Sequence, residues 1–316
     1  MTRRDMKHQF ENHKGFQNAF GQGRMTLGLA FPLEGYRKSV PEMDMETQIK
    51  RARLAEDYGF TALWARDIPL NDTVNFGDAG QMYDPWIFQS HIAAHTSEVA
   101  LGMGSIITTF RHPLDIAKYA ASLDRISGSR LLLGLATGDR PIEFDAYKVD
   151  QSVRAEIFRE TLEVVRRLWR EDEPRISTGR VDMWTGDMLP KPALRRIPTF
   201  VTGSSGQTHE WIAQNGDGWM TYPRARDMQD IFIRRWRSGS EIYKPFIQSL
   251  SLDLHEDPDH EPEHLHLGLR MGINHLKQHL QTLEDMGIDH VMIGTKFSRR
   301  PVDEVIQEIG EEIIKA

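Results

Sequence analysis

The 316-residue chain has a length that suits one large α/β barrel or two ordinary domains. Its residues are 39% hydrophobic and 27% charged, as in globular proteins, and no apolar run is long enough to span a membrane. The formal net charge is −7 with both signs interspersed, which argues against a nucleic-acid-binding surface, and the absence of cysteine excludes disulfides and thiolate sites. We therefore expect a cytoplasmic protein.

The first 24 residues are polar and contain no hydrophobic core of the kind found in signal peptides. We interpret residues 1–24 as a tail or an accessory helix. No second composition regime follows, so residues 25–316 are predicted to form a single domain.

Short apolar runs bounded by glycine or proline alternate with segments of helical periodicity along the rest of the chain. The runs predict strands over residues 25–31, 60–65, 99–108, 130–136, 197–201, 218–222, 245–252 and 290–294. The segments between them predict helices over residues 45–58, 85–95, 114–126, 152–170, 208–214, 226–238, 271–286 and 302–315. Asp44 as an N-cap, Pro85 at a first helical position and Gly128 at a helix end support these boundaries.

This alternation permits either a doubly wound sheet or a (β/α)8 barrel, and eight units over this length favour the barrel. Residues 141–150 are predicted to form a charged loop, and residues 171–197, with several prolines and glycines, an insertion with a hairpin. Residues 253–264 are interpreted as an acidic, histidine-rich, solvated loop. The prediction is therefore an α/β fold, a TIM barrel with insertions after strands 4 and 7.

The segment that follows the fifth predicted strand is typical of an anion site. Its glycines let a backbone approach closely, its hydroxyl groups donate hydrogen bonds, and a helix-like run begins directly after it. The residues are Thr202, Gly203, Ser204, Ser205, Gly206, Gln207 and Thr208. Taken alone, such a Gly-Ser segment is also an ordinary loop.

In a barrel, the residues after each strand meet at one end and form a pocket. This places Phe31, Asp67, Thr137, Gly138 and Tyr222 together with the Gly-Ser segment. A general-base role for Asp67 and an ion pair with Arg66 or a neighbouring helix both remain open. Tyr222 is interpreted either as a rim residue or as a contact to a cofactor edge.

Four segments in order resemble the bacterial luciferase-like flavin-dependent oxidoreductases. They are Gly-Met-Gly-Ser-Ile-Ile-Thr-Thr-Phe-Arg-His-Pro (102–113), Ala-Ser-Leu-Asp-Arg-Ile-Ser-Gly-Ser-Arg-Leu-Leu-Leu-Gly-Leu-Ala-Thr-Gly (121–138), the Gly-Ser segment (203–208) and Asn-Gly-Asp-Gly-Trp (215–219). The resemblance extends over about residues 25–297.

The resemblance implies a TIM barrel, often dimeric, that binds FMN or the deazaflavin F420 at the carboxyl ends of its strands. Members of this family oxidise substrates with O2 or transfer hydride, and some receive reduced flavin from a separate reductase. By position, the family's phosphate-binding residues correspond to Thr137, Arg154, Ser204, Ser205 and Thr208. Its non-prolyl cis peptide under the flavin ring corresponds to Gly104 and Ser105.

The sequence departs from luciferases at one position, because the run after the second strand is Arg66-Asp67-Ile68 and lacks their catalytic histidine. We therefore do not assign the luciferase reaction or its catalytic base to this sequence. The leading hypothesis is an FMN-dependent monooxygenase, and the alternatives are F420-dependent hydride transfer and a flavin-binding barrel without turnover. Arg140 competes with Arg154 for the phosphate. The spacing of the histidines in residues 255–266 matches no metal site, so no metal is expected.

Overall fold

The computed structural model describes residues 9–35, 43–72 and 82–316. Eight parallel strands, numbered along the chain, form its centre: β1 (Thr26–Phe31), β2 (Ala62–Ala65), β3 (Ala100–Ile107), β4 (Leu131–Ala136), β7 (Thr199–Thr202), β8 (Gly218–Thr221), β9 (Phe246–Leu254) and β12 (His290–Gly294). Each pairs with the next in this order, and β12 pairs with β1, so the sheet closes. Among the described residues, four short strands lie outside the barrel: β5 (Ile176–Ser177), β6 (Asp182–Met183), β10 (Glu263–Leu265) and β11 (Gly268–Met271).

Helices surround the barrel, as the sequence predicts. Their bounds are α1 (Lys14–Phe20), α2 (Met45–Asp57), α3 (Pro85–Ala93), α4 (Pro113–Ser127), α5 (Pro141–Tyr147), α6 (Arg154–Arg170), α7 (His209–Asn215), α8 (Arg226–Ser238), α9 (Ile273–Met286) and α10 (Val302–Ile309). The side chain of Asp44 caps α2 as predicted, Pro85 opens α3, and Gly128 ends α4 in the left-handed conformation. The (β/α)8 barrel predicted from the sequence is confirmed.

The side chains of each barrel strand alternate between two buried layers. On β2, Leu63 and Ala65 face the layer between barrel and helices, whereas Ala62 and Trp64 fill the barrel interior. The Trp64 ring occupies the space beside Gly102, where a Cβ would come within 2.2 Å of it. The glycines of the strands therefore make room for large interior side chains.

Helix α1 lies under the amino-terminal ends of the barrel strands. Phe16 and Phe20 belong to the same interior cluster as Trp64, and the Gly15 N–H donates to the Ser129 carbonyl at 2.9 Å. This helix closes the end of the barrel opposite the predicted pocket. Residues 1–8, the rest of the segment interpreted as a tail, lie outside the described residues.

Both predicted insertions are present, with more regular structure than expected. Residues 141–150, predicted to be a loop, contain helix α5 instead, which Pro141 opens. Residues 171–197 contain the predicted hairpin, formed by β5 and β6. In the 253–264 region, residues 255–262 form a largely exposed loop, as predicted, and the hairpin of β10 and β11 that follows continues the sheet beside β9.

Within the described ranges, the helices are too short or too polar to cross a membrane. Residues 36–42 and 73–81 belong to two predicted loops, one after the first strand and one over residues 68–83. Both stretches lie outside the described residues.

Candidate active site

The Gly-Ser segment after β7 adopts an unusual backbone. Gly203, Ser205 and Gly206 have positive φ values of 57°, 46° and 69°. Backbone of this kind turns successive N–H groups toward one point and forms a concavity that suits an anion. Ser205 accepts the left-handed conformation because its hydroxyl donates to the Thr202 carbonyl at 2.8 Å. The segment therefore has the shape expected of a phosphate-binding loop.

This segment packs against the first turn of α6. A Cβ on Gly206 would lie 2.6 Å from the Ala155 Cβ, so the two backbones are in close contact. Gln207 fixes the contact by donating to the Ala155 carbonyl at 3.0 Å, and it also accepts from Arg159. The sequence placed α6 and the Gly-Ser segment in one site, and the structure brings them together.

Arg154, the predicted phosphate ligand, is the first residue of α6 and is half-buried. It forms no ion pair with any residue in the described ranges, and no side chain caps α6 at Val153. A cation without a carboxylate partner beside a left-handed Gly-Ser loop fits a phosphate group, since both features favour negative charge. The competing candidate, Arg140, pairs instead with Glu143 at 3.5 Å.

Thr137 and Gly138 follow β4 on the same end of the barrel. The Thr137 carbonyl accepts from the Thr109 hydroxyl at 2.7 Å, and Thr137 itself is 6% exposed. Gly138 has a φ of 81°, and a Cβ there would approach Ile107 to 3.0 Å. The turn thus requires glycine, and hydrogen bonding of its backbone fixes the position of Thr137.

The peptide bond between Gly104 and Ser105 is cis, as the resemblance implies. The hydroxyl groups of Ser105 and Thr202 are hydrogen-bonded, which links β3 to β7 below the Gly-Ser segment. Thr208 caps α7 by accepting from the Trp211 N–H at 3.2 Å.

Tyr222 and Phe31, both predicted to contact the cofactor, differ in exposure. Tyr222 is half-exposed at the end of β8, where its ring is accessible. The Phe31 side chain is fully buried and packs against Phe88 of α3, with ring centroids 5.1 Å apart. The Phe31 ring faces the layer between barrel and helices, and its predicted contact to a cofactor stays a prediction.

Asp67 is buried just after the end of β2, and its carboxylate accepts three hydrogen bonds. It accepts from Arg111 at 3.0 and 2.7 Å and from the Ile107 N–H at 3.0 Å. Arg111 also reaches Asp84, the N-cap of α3, at 3.1 Å. Because both oxygens of Asp67 accept hydrogen bonds and one guanidinium contacts both of them, this geometry supports a structural role in place of the general-base role.

Sequence reasoning missed two residues that shape this end of the barrel, Arg180 and Glu143. Arg180 of the β5–β6 hairpin donates to the Arg111 carbonyl at 2.8 Å, and His112 accepts the Leu114 N–H and bonds the Arg180 carbonyl. The role expected for His112, fixing the start of its helix, is confirmed. Glu143 is the other missed residue, and its burial raises the pKa of its carboxyl group. No sequence pattern signals these contacts, because they join segments distant along the chain.

The histidines after β9 are held by other contacts. The rings of His255 and His260 stack with centroids 3.8 Å apart, and His260 pairs with Glu263 at 3.1 Å. In the part of the chain that the structure describes, no group of three His, Asp or Glu side chains is arranged to hold a metal ion.

Curated proteins similar to this chain include three that span its possible chemistries. An uncharacterized protein of Mycobacterium tuberculosis (strain ATCC 25618 / H37Rv) is 30% identical over 235 residues, which cover 67% of this chain and 81% of the relative. The F420-dependent hydroxymycolic acid dehydrogenase of the same strain is 29% identical over 194 residues, which cover 58% of this chain and 50% of the relative. The oxygenase component of the flavin-dependent trigonelline monooxygenase of Acinetobacter baylyi (strain ATCC 33305 / BD413 / ADP1) is 26% identical over 177 residues. These cover 54% of this chain and 46% of the relative.

Among solved structures, the monooxygenase RslO1 from Streptomyces bottropensis matches 92% of this chain and 99% of its own, with a TM-score of 0.80 at 20% identity. This is a likeness of fold. The family model for luciferase-like monooxygenases matches residues 25–245. Relatives named for flavin and for F420 both occur among the matches. The chain belongs to the luciferase-like monooxygenase family.

Proposed function

We propose that this chain is an FMN-dependent oxidoreductase, a monooxygenase that uses reduced flavin and O2 on a small organic substrate. The observation that carries the proposal is the contact between the left-handed loop at Gly203–Gly206 and the first turn of α6, with Arg154 unpaired among the described residues. This arrangement suits one terminal phosphate, which FMN carries.

Each residue has a distinct task in this proposal. The backbone N–H groups of the Gly-Ser segment and the hydroxyls of Ser204 and Thr208 bind phosphate oxygens, and Arg154 neutralises their charge. Thr137 donates from the neighbouring strand end. The Gly104–Ser105 segment supports the ring system, and Tyr222 borders it. Reduced flavin supplies the two electrons with which one oxygen atom of O2 enters the substrate and the other leaves as water.

A separate reductase is the proposed source of reduced flavin. The supporting observation is that one relative is named as the oxygenase component of a monooxygenase, which indicates a second component there. Addition of a flavin reductase with NADH is therefore the natural assay, with a panel of aldehydes, sulfonates and amines as substrates. Substrate-dependent product formation distinguishes the enzyme from a binding-only barrel.

The second candidate is F420-dependent hydride transfer on the same barrel. It is supported by the similarity to the F420-dependent dehydrogenase of M. tuberculosis. The proposed anchor favours the terminal phosphate of FMN, and the two candidates differ further in the ring and in the remainder of the tail. Parallel titrations with FMN and F420, each in oxidised and reduced form, separate them by affinity.

We also propose a homodimer, as the family resemblance implies. The outer face of α3 and α4 carries a groove of about 1040 Å3. Ile87 and Ile126 on this face are each 71% exposed, and Trp86, Tyr119 and Leu123 line the groove between them. A contiguous apolar surface of this kind marks a protein interface, and a second copy of the chain is the proposed occupant.

The proposed cofactor site is tested by titrating FMN into the full chain and into Arg154→Ala. Loss of the guanidinium is expected to weaken binding at least about tenfold, as for a charge-assisted hydrogen bond. Arg170→Ala is the matched control, since Arg170 lies exposed at the other end of the same helix. Equal FMN affinity in all three proteins would remove the phosphate role of Arg154.

A further inference from the structure

The barrel interior is open at the carboxyl end of the strands, its mouth. On β3, β4 and β7 the single partly exposed residue of each strand faces inward: Gly104, Ala136 and Thr202. A Cβ on Gly104 would lie 3.6 Å from the Trp64 side chain, and Thr202 donates to the Met220 sulfur at 3.6 Å. This half of the mouth belongs to the segments that the proposed function assigns to the cofactor.

The other half of the mouth is formed by β9, β12 and β1. The partly exposed residues of these strands are Ser249, Ser251, Gly294 and Ala30. Ser249 pairs in register with Met292 of the interior cluster, and Ser251 pairs with Gly294, so both serines face inward. Because β9 is the fourth strand from β3 in either direction around the closed sheet, the serines lie across the mouth from Gly104.

Both serine hydroxyls lack a hydrogen-bond partner among the described residues. The Ser249 oxygen is itself buried although the residue is partly exposed, so rotation about χ1 turns this hydroxyl toward the open interior. The Ser251 backbone N–H donates to the Leu267 carbonyl at 3.1 Å, but the Ser251 hydroxyl bonds to none of the described groups. Polar groups inside a protein normally have a partner, so two unpartnered hydroxyls on one strand indicate a site for a bound group.

The charges beside the serines are already paired. Asp253, two residues beyond Ser251 on the same face of β9, is 2% exposed and lies 3.4 Å from Arg270 and 3.3 Å from Arg299. Glu263 pairs with Arg270 at 3.6 Å, so two carboxylates face two guanidinium groups. A charged ligand would therefore find no unpaired counter-charge along β9.

The rest of this half is small or apolar. Ala30 and Gly294 contribute no polar side-chain atom, and Met292 and Trp64 of the interior cluster lie below them. The amino group of Lys296, which follows β12, lies over the Phe297 ring at 4.9 Å from its centroid. The two hydroxyls are thus the hydrogen-bonding side chains that β9, β12 and β1 present at the open part of the mouth.

We propose that Ser249 and Ser251 bind an uncharged, oxygen-bearing group of the substrate, a carbonyl or a hydroxyl. The inference rests on the proposed function, because it assigns this half of the mouth to the substrate and the other half to FMN. A serine hydroxyl both donates and accepts, so it binds either group. Neutral carbonyl compounds and alcohols are therefore the expected substrates, whereas sulfonates and protonated amines are not.

The first test uses the absence of cysteine from the chain, which makes the thiol of Ser251→Cys unique. This variant is treated with neutral methyl methanethiosulfonate and with its anionic 2-sulfonatoethyl analogue, with and without saturating FMN. Ser177→Cys, on the exposed side of β5, corrects for the intrinsic reactivity of each reagent. We expect at least about a tenfold preference for the neutral reagent over that of the control, because an anion loses hydration in an uncharged cavity. We expect this preference with FMN bound as well.

Three outcomes of this test would overturn the proposal. A preference equal to that of Ser177→Cys would show that the serine wall does not select against charge. Protection by FMN would assign the wall to the cofactor, and a thiol that reacts with neither reagent would show that the wall is closed. If the unaltered chain does not bind FMN, the proposed function fails, whereas the reagent preference of the flavin-free protein still decides whether the wall selects an uncharged group.

The second test measures binding of hexan-2-one, hexan-2-ol and hexanoate to the FMN-loaded protein by ligand-observed NMR. The ketone and the alcohol should bind at least about tenfold more tightly than the carboxylate. Ser249→Ala and Ser251→Ala should each weaken ketone binding about two- to tenfold, as for one hydrogen bond, and leave FMN affinity unchanged. Ser177→Ala is the control. Tighter binding of hexanoate, no binding of either neutral compound, or unchanged ketone affinity in both variants would contradict the assignment.

Discussion

Arg111 and Asp67 form a bidentate ion pair across the ends of two neighbouring barrel strands. Nε of Arg111 lies 3.0 Å from one carboxylate oxygen of Asp67 and Nη2 lies 2.7 Å from the other. The Asp67 side chain is 1% exposed, so the pair is shielded from water on the carboxylate side. It joins the end of β2 to the turn after β3.

Replacement of Asp67 by Asn should destabilise the fold by about 3 kcal/mol, because it leaves Arg111 partly buried with only Asp84 as a counter-charge. Urea denaturation of Asp67→Asn, Arg111→Gln and the double variant measures the coupling between the two side chains. If the pair is structural, the double variant should lose little more free energy of unfolding than either single variant. Simple addition of the two losses would contradict the pairing, and a lost basic limb in the pH–rate profile of Asp67→Asn would restore the general-base hypothesis.

Substitution of Gly206 by Ala should damage both the fold and the proposed phosphate loop. The new Cβ would lie 2.6 Å from Ala155, at a φ of 69° that L-residues rarely adopt. The loss of stability is expected to exceed about 2 kcal/mol, with weaker FMN binding. Gly186→Ala is the matched control, since its φ is 92° but no atom lies within 4 Å of a Cβ there. Thermal unfolding of both variants separates backbone strain from the contact with α6.

The dimer proposal predicts that Ile87→Glu converts the protein to a monomer. Ile87 is 71% exposed in the α3–α4 groove, where a carboxylate in an apolar contact would lack a partner. Light scattering coupled to size exclusion should report half the mass of the unaltered protein. Ile231→Glu on α8 serves as the control and should leave the mass unchanged, since Ile231 does not line this groove. An unaltered mass for Ile87→Glu would refute the assignment of this face.

Because His290 lies in the barrel interior, we expect the stability of the fold to fall at acid pH. Trp64 donates to Nε2 of His290 at 3.0 Å, so the ring proton is on Nδ1, which donates to Thr26 at 2.8 Å. Complete burial lowers the pKa of His290 to about 3, from 6.5. Its contribution to stability is therefore fully present above the unfolded pKa and is lost as pH falls toward the folded pKa.

Comparison with His290→Gln isolates this effect. The variant should be less stable at about pH 7.5, but its disadvantage should shrink by up to about 1.4 kcal/mol per pH unit below about pH 6. Free energies of unfolding from urea titrations at several pH values give the comparison. Parallel stability curves for the two proteins would show that His290 does not remain neutral.

Local sequence patterns were sufficient to predict the barrel. The apolar strands, which lack alternation of apolar and polar residues, are recognised from short segments of sequence. The same holds for helix boundaries, and Asp44, Pro85 and Gly128 mark such boundaries at the predicted places. The meeting of α6 with the Gly-Ser segment was also predictable, because a barrel brings successive strand ends together.

Long-range pairing and burial were not predictable in the same way. Asp67 and Arg111 lie 44 positions apart, and no spacing rule joins them. Helix α5 has seven residues and no side-chain cap, which gives too weak a periodic signal to distinguish it from a loop. The outward direction of Phe31 depends on the strand register, which the sequence leaves open by one residue.

The central claim is that the Gly-Ser segment and Arg154 bind the phosphate of a flavin. The most direct test is the dissociation constant of FMN, compared with that of riboflavin, for the unaltered chain and for Arg154→Ala. The account predicts that FMN binds much more tightly than riboflavin and that most of this preference disappears in Arg154→Ala. Equal affinities of the unaltered chain for FMN and riboflavin would contradict it.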